Sequence, residues 1–276
     1  MGNILIADSG STKTDWGLQG SASVVKTQGI NPFLQDDETI LSILRDELIV
    51  NQPKEWPLSF SEIRFYGSGV RPEQEARMER LLHQAFPCAG HIEARSDMLG
   101  AARALCGGSE GLACILGTGA NSCLYDGRGI VANTPALGYI LGDEGSGAVL
   151  GRLFLNALYK GRLYDGAVEE FGKHFSMSMS DVITRVYREP MANRWLASLS
   201  PYIRAHIDEP SVSGIVEQNL RTFIRHNINP YRRHDLPLSA VGSIAFFYRE
   251  QLEKVANEEG YALGKTLRSP IEGLLV

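Results

Sequence analysis

The chain has 276 residues, 43% of them hydrophobic, with 27 Lys and Arg against 32 Asp and Glu and a formal net charge of −5. This length suffices to bury the core of one large domain or two smaller ones. The negative charge argues against a nucleic-acid-binding surface, and no apolar stretch approaches the roughly 20 residues that a membrane-spanning helix needs.

The first residues lack the basic and apolar segments of a secretory leader, so we expect a cytoplasmic protein that binds neither nucleic acid nor membrane. The cysteines agree with this expectation, because their positions follow no metal-binding spacing and fit reduced thiols. They are Cys88, Cys106, Cys114 and Cys123.

The first part of the chain predicts alternating strands and helices. Glycine turns and a proline at a helix start separate them. Strands are expected at 4–8, 15–19, 23–28, 62–69 and 91–95, and helices at 37–50, 72–86 and 97–105. The order is β-β-β-α-β-α-β-α.

The order then restarts at "GLACILGTGANSCLYDGRG" (111–129), which predicts a strand, a glycine loop and a second strand. Gly119 matches Gly10 at an offset of 109 residues, which indicates a weak internal repeat. A long helical stretch (144–228), a strand at 238–243 and a helix at 244–258 follow. We therefore expect two α/β domains: one over 1–107, onto which 266–276 packs back, and one over 108–265 with a helical insertion.

Two glycine-rich segments carry the main functional signal. Ser9 to Thr14 interrupts two apolar runs and is too long for a tight hairpin. Backbone N–H groups in such loops can bind an anion, although either segment alone could be a simple turn. The candidate groups are Gly10, Ser11, Thr12 and Lys13 in the first loop, and Thr118, Gly119, Ala120 and Asn121 in the second. Gly264-Lys265-Thr266 does not complete a P-loop, because Glu259 stands where its first glycine is required.

These motifs together resemble the actin/hexokinase/Hsp70 ATPase superfamily: Asp-x-Gly-x-Thr-Lys at 8–13, Gly-Thr-Gly at 117–119 and "VGS" at 241–243. "LGYILGDEGSG" (137–147) with "GTGANS" is similar to the N-acetylglucosamine kinase group of the BadF/BadG/BcrA/BcrD-type ATPases. The resemblance implies a two-domain actin-like ATPase (ribonuclease H-like) fold with duplicated β-β-β-α-β-α-β-α units and a nucleotide cleft between them.

The resemblance also implies ATP and Mg²⁺ as cofactors. Asp8 would lie beside Mg²⁺ and act through water, since Mg²⁺ gives up its hydration reluctantly. The phosphates of ATP would contact Gly10, Ser11, Thr12 and Lys13 from one domain and Thr118 and Gly119 from the other, and the adenosine would contact Gly242 and Ser243.

Asp97 matches the catalytic aspartate of this group, which would accept the proton of the sugar hydroxyl. Without the resemblance, an aspartate at that place would be interpreted as a helix N-cap. The residues implied to bind the sugar are Asn31, Ser68, Gly69, Asp97, Ala120, Asn121, Gly138 and Asp143.

We therefore expect an ATP- and Mg²⁺-dependent kinase that converts N-acetylglucosamine to N-acetylglucosamine 6-phosphate by in-line transfer with an aspartate base. Three alternatives stay open at this stage: an N-acetylmuramic acid kinase, a non-redox ATPase that drives a partner protein, and a sugar sensor that has lost catalysis. A homodimer is also left open.

Overall fold

The computed structural model describes residues 3–10, 12–57 and 59–276. The chain divides into two compact units. Unit 1 comprises Met1–Ser109, Gly127–Gly129 and Ser269–Val276, and unit 2 comprises Glu110–Asp126 and Ile130–Arg268. Within the described residues, no helix has the length and apolar character required to cross a membrane.

Unit 1 contains the strands and helices of the first half of the chain. They are β1 (Ile4–Ser9), β2 (Lys13–Leu18), β3 (Val24–Gln28), α1 (Asp37–Ser42), β4 (Glu62–Gly67), α2 (Pro72–Ala85), β5 (His91–Ser96) and α3 (Asp97–Cys106). The helix expected over 37–50 changes from α-helical to π-helical geometry at Ile43, and the π-helical segment ends at Ile49. The remaining elements agree with the sequence prediction in type and nearly in bounds.

The sheet of unit 1 has the order β3-β2-β1-β4-β5, with β1, β4 and β5 parallel and the β1–β2–β3 part antiparallel. Side chains alternate between its faces. One face packs an apolar core under α1 and α2. This core includes Leu5, Ala7, Trp16, Ile63, Phe65, Met78 and Leu81. The opposite face carries Ile6 and Tyr66 and also polar groups, among them Asp8.

The β1–β2 connection corrects a sequence prediction. Ser9 and Thr14 are direct register partners, and the Gly10 N–H donates to the Lys13 carbonyl oxygen at 3.0 Å. The segment Ser9 to Thr14 is therefore not an open loop, because the strands pair through its outer residues. These polar side chains fit inside the sheet since their hydroxyls hydrogen-bond each other at 2.7 Å.

Unit 2 follows the same order of strands with more helices inserted. Its elements are β6 (Glu110–Leu116), β7 (Ala120–Asp126), β8 (Ile130–Thr134), α4 (Gly138–Leu141), α5 (Gly147–Tyr159), α6 (Ala167–Phe175), α7 (Met179–Tyr187), α8 (Ala192–Ser198), α9 (Ser200–Ala205), α10 (Pro210–Phe223), β9 (Leu238–Val241), α11 (Ser243–Phe247), α12 (Arg249–Glu258) and β10 (Leu263–Leu267). A π-helical segment (Ile224–Ile228) and a 3₁₀ turn (Asn229–Tyr231) follow α10.

The sheet of unit 2 has the order β8-β7-β6-β9-β10, which repeats the order of unit 1 strand for strand. The predicted fold class, with duplicated β-β-β-α-β-α-β-α units, is confirmed. The predicted offset of the repeat is wrong by two residues. Ser9 and Leu116 end the first strands and Lys13 and Ala120 begin the second ones, so both pairs are 107 residues apart.

The segment after β10 returns to unit 1, where it forms the short helix α13 (Ile271–Leu274). Ile271 packs in a buried cluster with Ile6 and Tyr66, on the polar face of the unit 1 sheet. Leu275 lies so close to Gly17 that a Cβ at that residue would come within 2.7 Å of it. This segment therefore covers β1 and β2.

Candidate active site

The carboxyl ends of three parallel strands meet at one edge of the unit 1 sheet. Ser9, Gly67 and Ser96 share one row of the register across β1, β4 and β5. Gly10, Ser68 and Asp97 follow these residues directly, and the Ser68 N–H donates to the Ser9 carbonyl oxygen at 2.8 Å. Three residues predicted for the site are thus placed along the same edge.

Asp97 is the first residue of α3, and the N-cap is Ser96, whose hydroxyl accepts from the Leu99 N–H at 3.3 Å. The interpretation of Asp97 as a helix N-cap is therefore wrong. Its own Oδ1 accepts from the Met98 N–H at 2.8 Å. Burial raises the pKa of the Asp97 carboxyl despite the hydrogen bonds from Met98 and from its own backbone N–H. A raised pKa makes the carboxylate a better proton acceptor.

Asp8 lies in a group of acidic side chains on unit 1. Burial first, and then the charges of Asp97 and Asp15, raises the pKa of Asp8 to about 7. Asp15 is the direct register partner of Asp8 on β2. The Ser269 hydroxyl donates to both, at 3.4 Å to each carboxylate. Sequence reasoning missed Asp15 and Ser269.

Asp15 is 3% exposed, and its Oδ2 forms an ion pair with the Lys13 ammonium at 2.5 Å. Its Oδ1 is buried and accepts no hydrogen bond among the described residues. An oxygen-rich group with an unpartnered carboxylate oxygen fits a hard divalent cation such as Mg²⁺. Asp8 and Asp15 are the residues that would hold it.

Asn31 lies over Gly69 at the same edge. Gly69 has a φ of +82°, and a Cβ at this residue would overlap the Asn31 side-chain amide. The Asn31 Oδ1 accepts from the Phe33 N–H at 3.0 Å. The Ser9 hydroxyl ties this segment to β1, because it donates to the Ile30 carbonyl oxygen at 3.0 Å. Asn31, Ser68 and Gly69 are therefore brought together on unit 1.

The glycine hairpin of unit 2 connects β6 and β7 and docks on the start of α5. The Gly117 N–H donates to the Gly119 carbonyl oxygen at 3.0 Å. The carbonyl oxygens of Gly117 and Thr118 accept from the Gly147 and Ala148 N–H groups at 2.8 and 3.2 Å. These bonds satisfy amides at the helix start and hold the hairpin in place.

Asp143 has a left-handed backbone conformation, with a φ of +54°. Its carboxylate accepts hydrogen bonds from the Ala120 and Gly138 N–H groups, while burial raises its pKa. A Cβ at Gly119 would lie 3.1 Å from its Oδ2. Gly119, Ala120, Gly138 and Asp143 are thus brought together on unit 2. Asn121 lies on β7, where its Oδ1 accepts from the Asn133 Nδ2 at 2.9 Å.

Asn219 supports the segment that carries Asp143. This side chain on α10 is 2% exposed. Its Oδ1 accepts from the Gly145 N–H at 2.9 Å, and its Nδ2 donates to the Ser146 carbonyl oxygen at 3.2 Å. Glu144 precedes α5 instead of lying in its first turn as expected, and it pairs with His226 at 3.2 Å. Sequence reasoning missed Asn219, because its contacts join segments more than 70 residues apart.

Gly242 begins the segment that was expected to lie under the adenosine. It has a φ of +120°, and a Cβ there would overlap the Leu116 carbonyl oxygen and lie 3.2 Å from the Gly117 N. Glycine is required for both reasons. Gly242 and Ser243 therefore lie directly beside the β6–β7 hairpin. Ser11 lies outside the described residues.

Comparison with known proteins identifies the family. No family model and no curated protein matches the chain. A solved structure of a candidate N-acetylglucosamine kinase from Porphyromonas gingivalis is 48% identical, and the match covers 99% of this chain and 97% of that one with a TM-score of 0.93. The chain belongs to the N-acetylglucosamine kinase-like family of the actin-like ATPases. The resemblance inferred from the sequence motifs is thereby confirmed.

More distant structures share the fold of this kinase family. A candidate N-acetylglucosamine kinase from Chromobacterium violaceum is 18% identical over 100% of this chain and 98% of that one, with a TM-score of 0.76. A ROK family glucokinase from Streptomyces griseus, solved with glucose and AMPPNP, is 12% identical over 99% and 96%, with a TM-score of 0.61.

Proposed function

We propose that the protein transfers the γ-phosphoryl group of ATP to an amino sugar, with N-acetylglucosamine as the preferred acceptor and Mg²⁺ as the cofactor. Membership of the family makes it a sugar phosphotransferase. The observation that carries the finer proposal is the position of Asp97, at the carboxyl edge of the unit 1 sheet and within electrostatic reach of Asp8.

Asp97 supplies the base in this proposal. A sugar hydroxyl is a weak nucleophile, so a carboxylate that accepts its proton during transfer lowers the barrier. Burial raises the pKa of Asp97, which strengthens it as an acceptor. The Met98 N–H fixes one carboxylate oxygen at 2.8 Å, and the second oxygen is assigned to the proton.

Backbone groups and acidic side chains hold the nucleotide. The amides of Gly10, Thr12 and Lys13 on unit 1, and of Thr118 and Gly119 on unit 2, would donate to phosphate oxygens. Asp8 and Asp15 would hold Mg²⁺, which offsets charge on the phosphates when it is bound. Ser11 remains part of the proposed phosphate contacts on sequence grounds.

Sugar recognition is assigned to two sets of residues. On unit 1 these are Asn31, Ser68 and Gly69, which the hydrogen bonds of Ser9 hold beside the edge that carries Asp97. On unit 2 these are Ala120, Asn121, Gly138 and Asp143. The Asp143 carboxylate already accepts from two amides, which orient it to receive hydroxyl groups of the sugar.

The acceptor is tested by ADP release from the purified protein in the presence of ATP, Mg²⁺ and single amino sugars. We expect release with N-acetylglucosamine to exceed that with N-acetylmuramic acid and N-acetylmannosamine, and mass spectrometry to show phosphate on the 6-hydroxyl. Faster turnover of N-acetylmuramic acid would favour that kinase. ATP hydrolysis that no sugar stimulates would favour the partner-driving ATPase, and binding of sugar without ADP release would favour the sensor.

A further inference from the structure

Two exposed phenylalanines lie on unit 2 next to its glycine hairpin. The Gly242 backbone abuts Leu116 and Gly117, as the overlap of a Cβ at this glycine demonstrates. Helix α11 starts at the next residue and contains Phe246 and Phe247. The phenylalanines are therefore one helical turn from the hairpin that is assigned to the phosphates.

Both rings share a helix face with Ser243. Positions i, i+3 and i+4 lie on the same side of a helix, and Ser243, Phe246 and Phe247 have this spacing. All three are exposed, with exposed fractions of 44% for Phe246 and 42% for Phe247, whereas Ile244 and Ala245 are buried. A molecule that contacts Ser243 therefore meets the aromatic rings next.

The two rings form an ordered surface. Their centroids are 5.3 Å apart with an interplanar angle of 85°, so the edge of one ring meets the face of the other. The Arg268 guanidinium carbon lies 5.4 Å from the centroid of the Phe247 ring. This cation–π contact orients Phe247 and places a positive charge beside the rings.

We propose that Phe246 and Phe247 form the stacking surface for the base of the bound nucleotide, with Arg268 as a positioning residue. This inference rests on the proposed function, because the adjacent hairpin must bind the phosphates. A flat apolar surface with a neighbouring cation suits a heteroaromatic ring attached to a polyanion. Stacking on an aromatic ring accepts any base, since every base has a π-face. ATP and GTP are therefore both expected to bind.

The test is isothermal titration of the full chain with ATP, GTP and inorganic tripolyphosphate, each with Mg²⁺. We expect F246A and F247A to raise the dissociation constants of ATP and GTP at least about fivefold, the lower limit for loss of one base–aromatic stack. Tripolyphosphate has no base, so its affinity is expected to stay unchanged. Y187A is the matched control, because Tyr187 is 75% exposed on unit 2 and is expected to leave all three affinities unchanged.

Three results would overturn the inference. The first is unchanged ATP affinity in both phenylalanine variants, and the second is an equal loss for tripolyphosphate, which would place the damage in the hairpin. The third is full ATP affinity in F247L, since leucine keeps apolar bulk without a ring. A wild-type protein that binds no nucleotide would overturn the proposed function as well, whereas unaffected variants of a nucleotide-binding protein overturn this inference alone.

Discussion

Replacing Asn219 by alanine tests how the Asp143 segment is held. The substitution removes the acceptor of the Gly145 N–H and the donor to the Ser146 carbonyl oxygen. Gly145 is buried, so its N–H loses its side-chain partner. The Ser146 carbonyl oxygen still accepts from the Leu150 N–H at 2.9 Å.

The two losses give the expected magnitude. An orphaned buried N–H costs roughly 1–3 kcal/mol, and one lost hydrogen bond to a group that keeps another partner costs roughly 0.5–1.5 kcal/mol. We therefore expect Asn219→Ala to lower the free energy of unfolding by about 2–4 kcal/mol. Because Gly145 is two residues from Asp143, we also expect a higher KM for the sugar with a smaller change in the KM for ATP.

Urea unfolding and sugar-dependent ADP release measure the two effects. Gln218→Ala is the matched control, because Gln218 is the exposed neighbour of Asn219 on the same helix, and it should change stability by less than about 0.5 kcal/mol. The reasoning is refuted if Asn219→Ala unfolds at the urea concentration of the control. It is also refuted if the KM for ATP rises as much as the KM for the sugar.

Three further predictions concern the groups around the proposed phosphate and metal positions. Asp97→Asn should lower kcat by about 100-fold or more, because the proton acceptor is lost, while calorimetric ATP affinity stays near wild type; a wild-type rate would contradict the base assignment. Gly10→Val should weaken ATP binding without destabilising the fold, since the nearest atom to a Cβ there is 3.8 Å away, whereas Gly242→Ala should lower the melting temperature because its Cβ overlaps the Leu116 carbonyl oxygen; equal melting temperatures would contradict this. In metal-free protein the Asp8 pKa of about 7 lies above its ordinary value of 3.8, so the folded state keeps a proton that the unfolded state releases, and the free energy of unfolding should fall by roughly 2–4 kcal/mol as pH rises from 4 to 7. Asp8→Asn should flatten that part of the profile in urea titrations, and an unchanged slope would refute the shift.

The elements of unit 1 were predictable because their sequence signals are local. Pro72 opens α2 at its first turn, and apolar spacing marks the faces of α2 and α3. Strands β8 and β10 lacked a specific prediction. Both are short edge strands without a run of buried apolar residues, so the neighbouring strand defines them more than their own composition does.

The site was predictable only where a motif marks it. Asp97 follows a strand and begins a helix, and both features are visible in the sequence. Asp15 was missed because the hairpin was expected to be longer; the tight hairpin is what sets Asp15 opposite Asp8. Asn219 and Ser269 act through contacts between distant segments, for which a single sequence carries no local signal.

The return of Ser269–Val276 to unit 1 has a consequence for biosynthesis. Unit 1 is interrupted by nearly all of unit 2, so a ribosome makes the strands β1 to β5 long before it makes Ile271, which packs against Ile6 and Tyr66. Until then the polar face of the first sheet lacks this cover, and Asp8 and Asp15 lack the Ser269 hydroxyl. Vectorial folding can therefore finish unit 2 before unit 1, and the carboxylate group proposed for Mg²⁺ is assembled last.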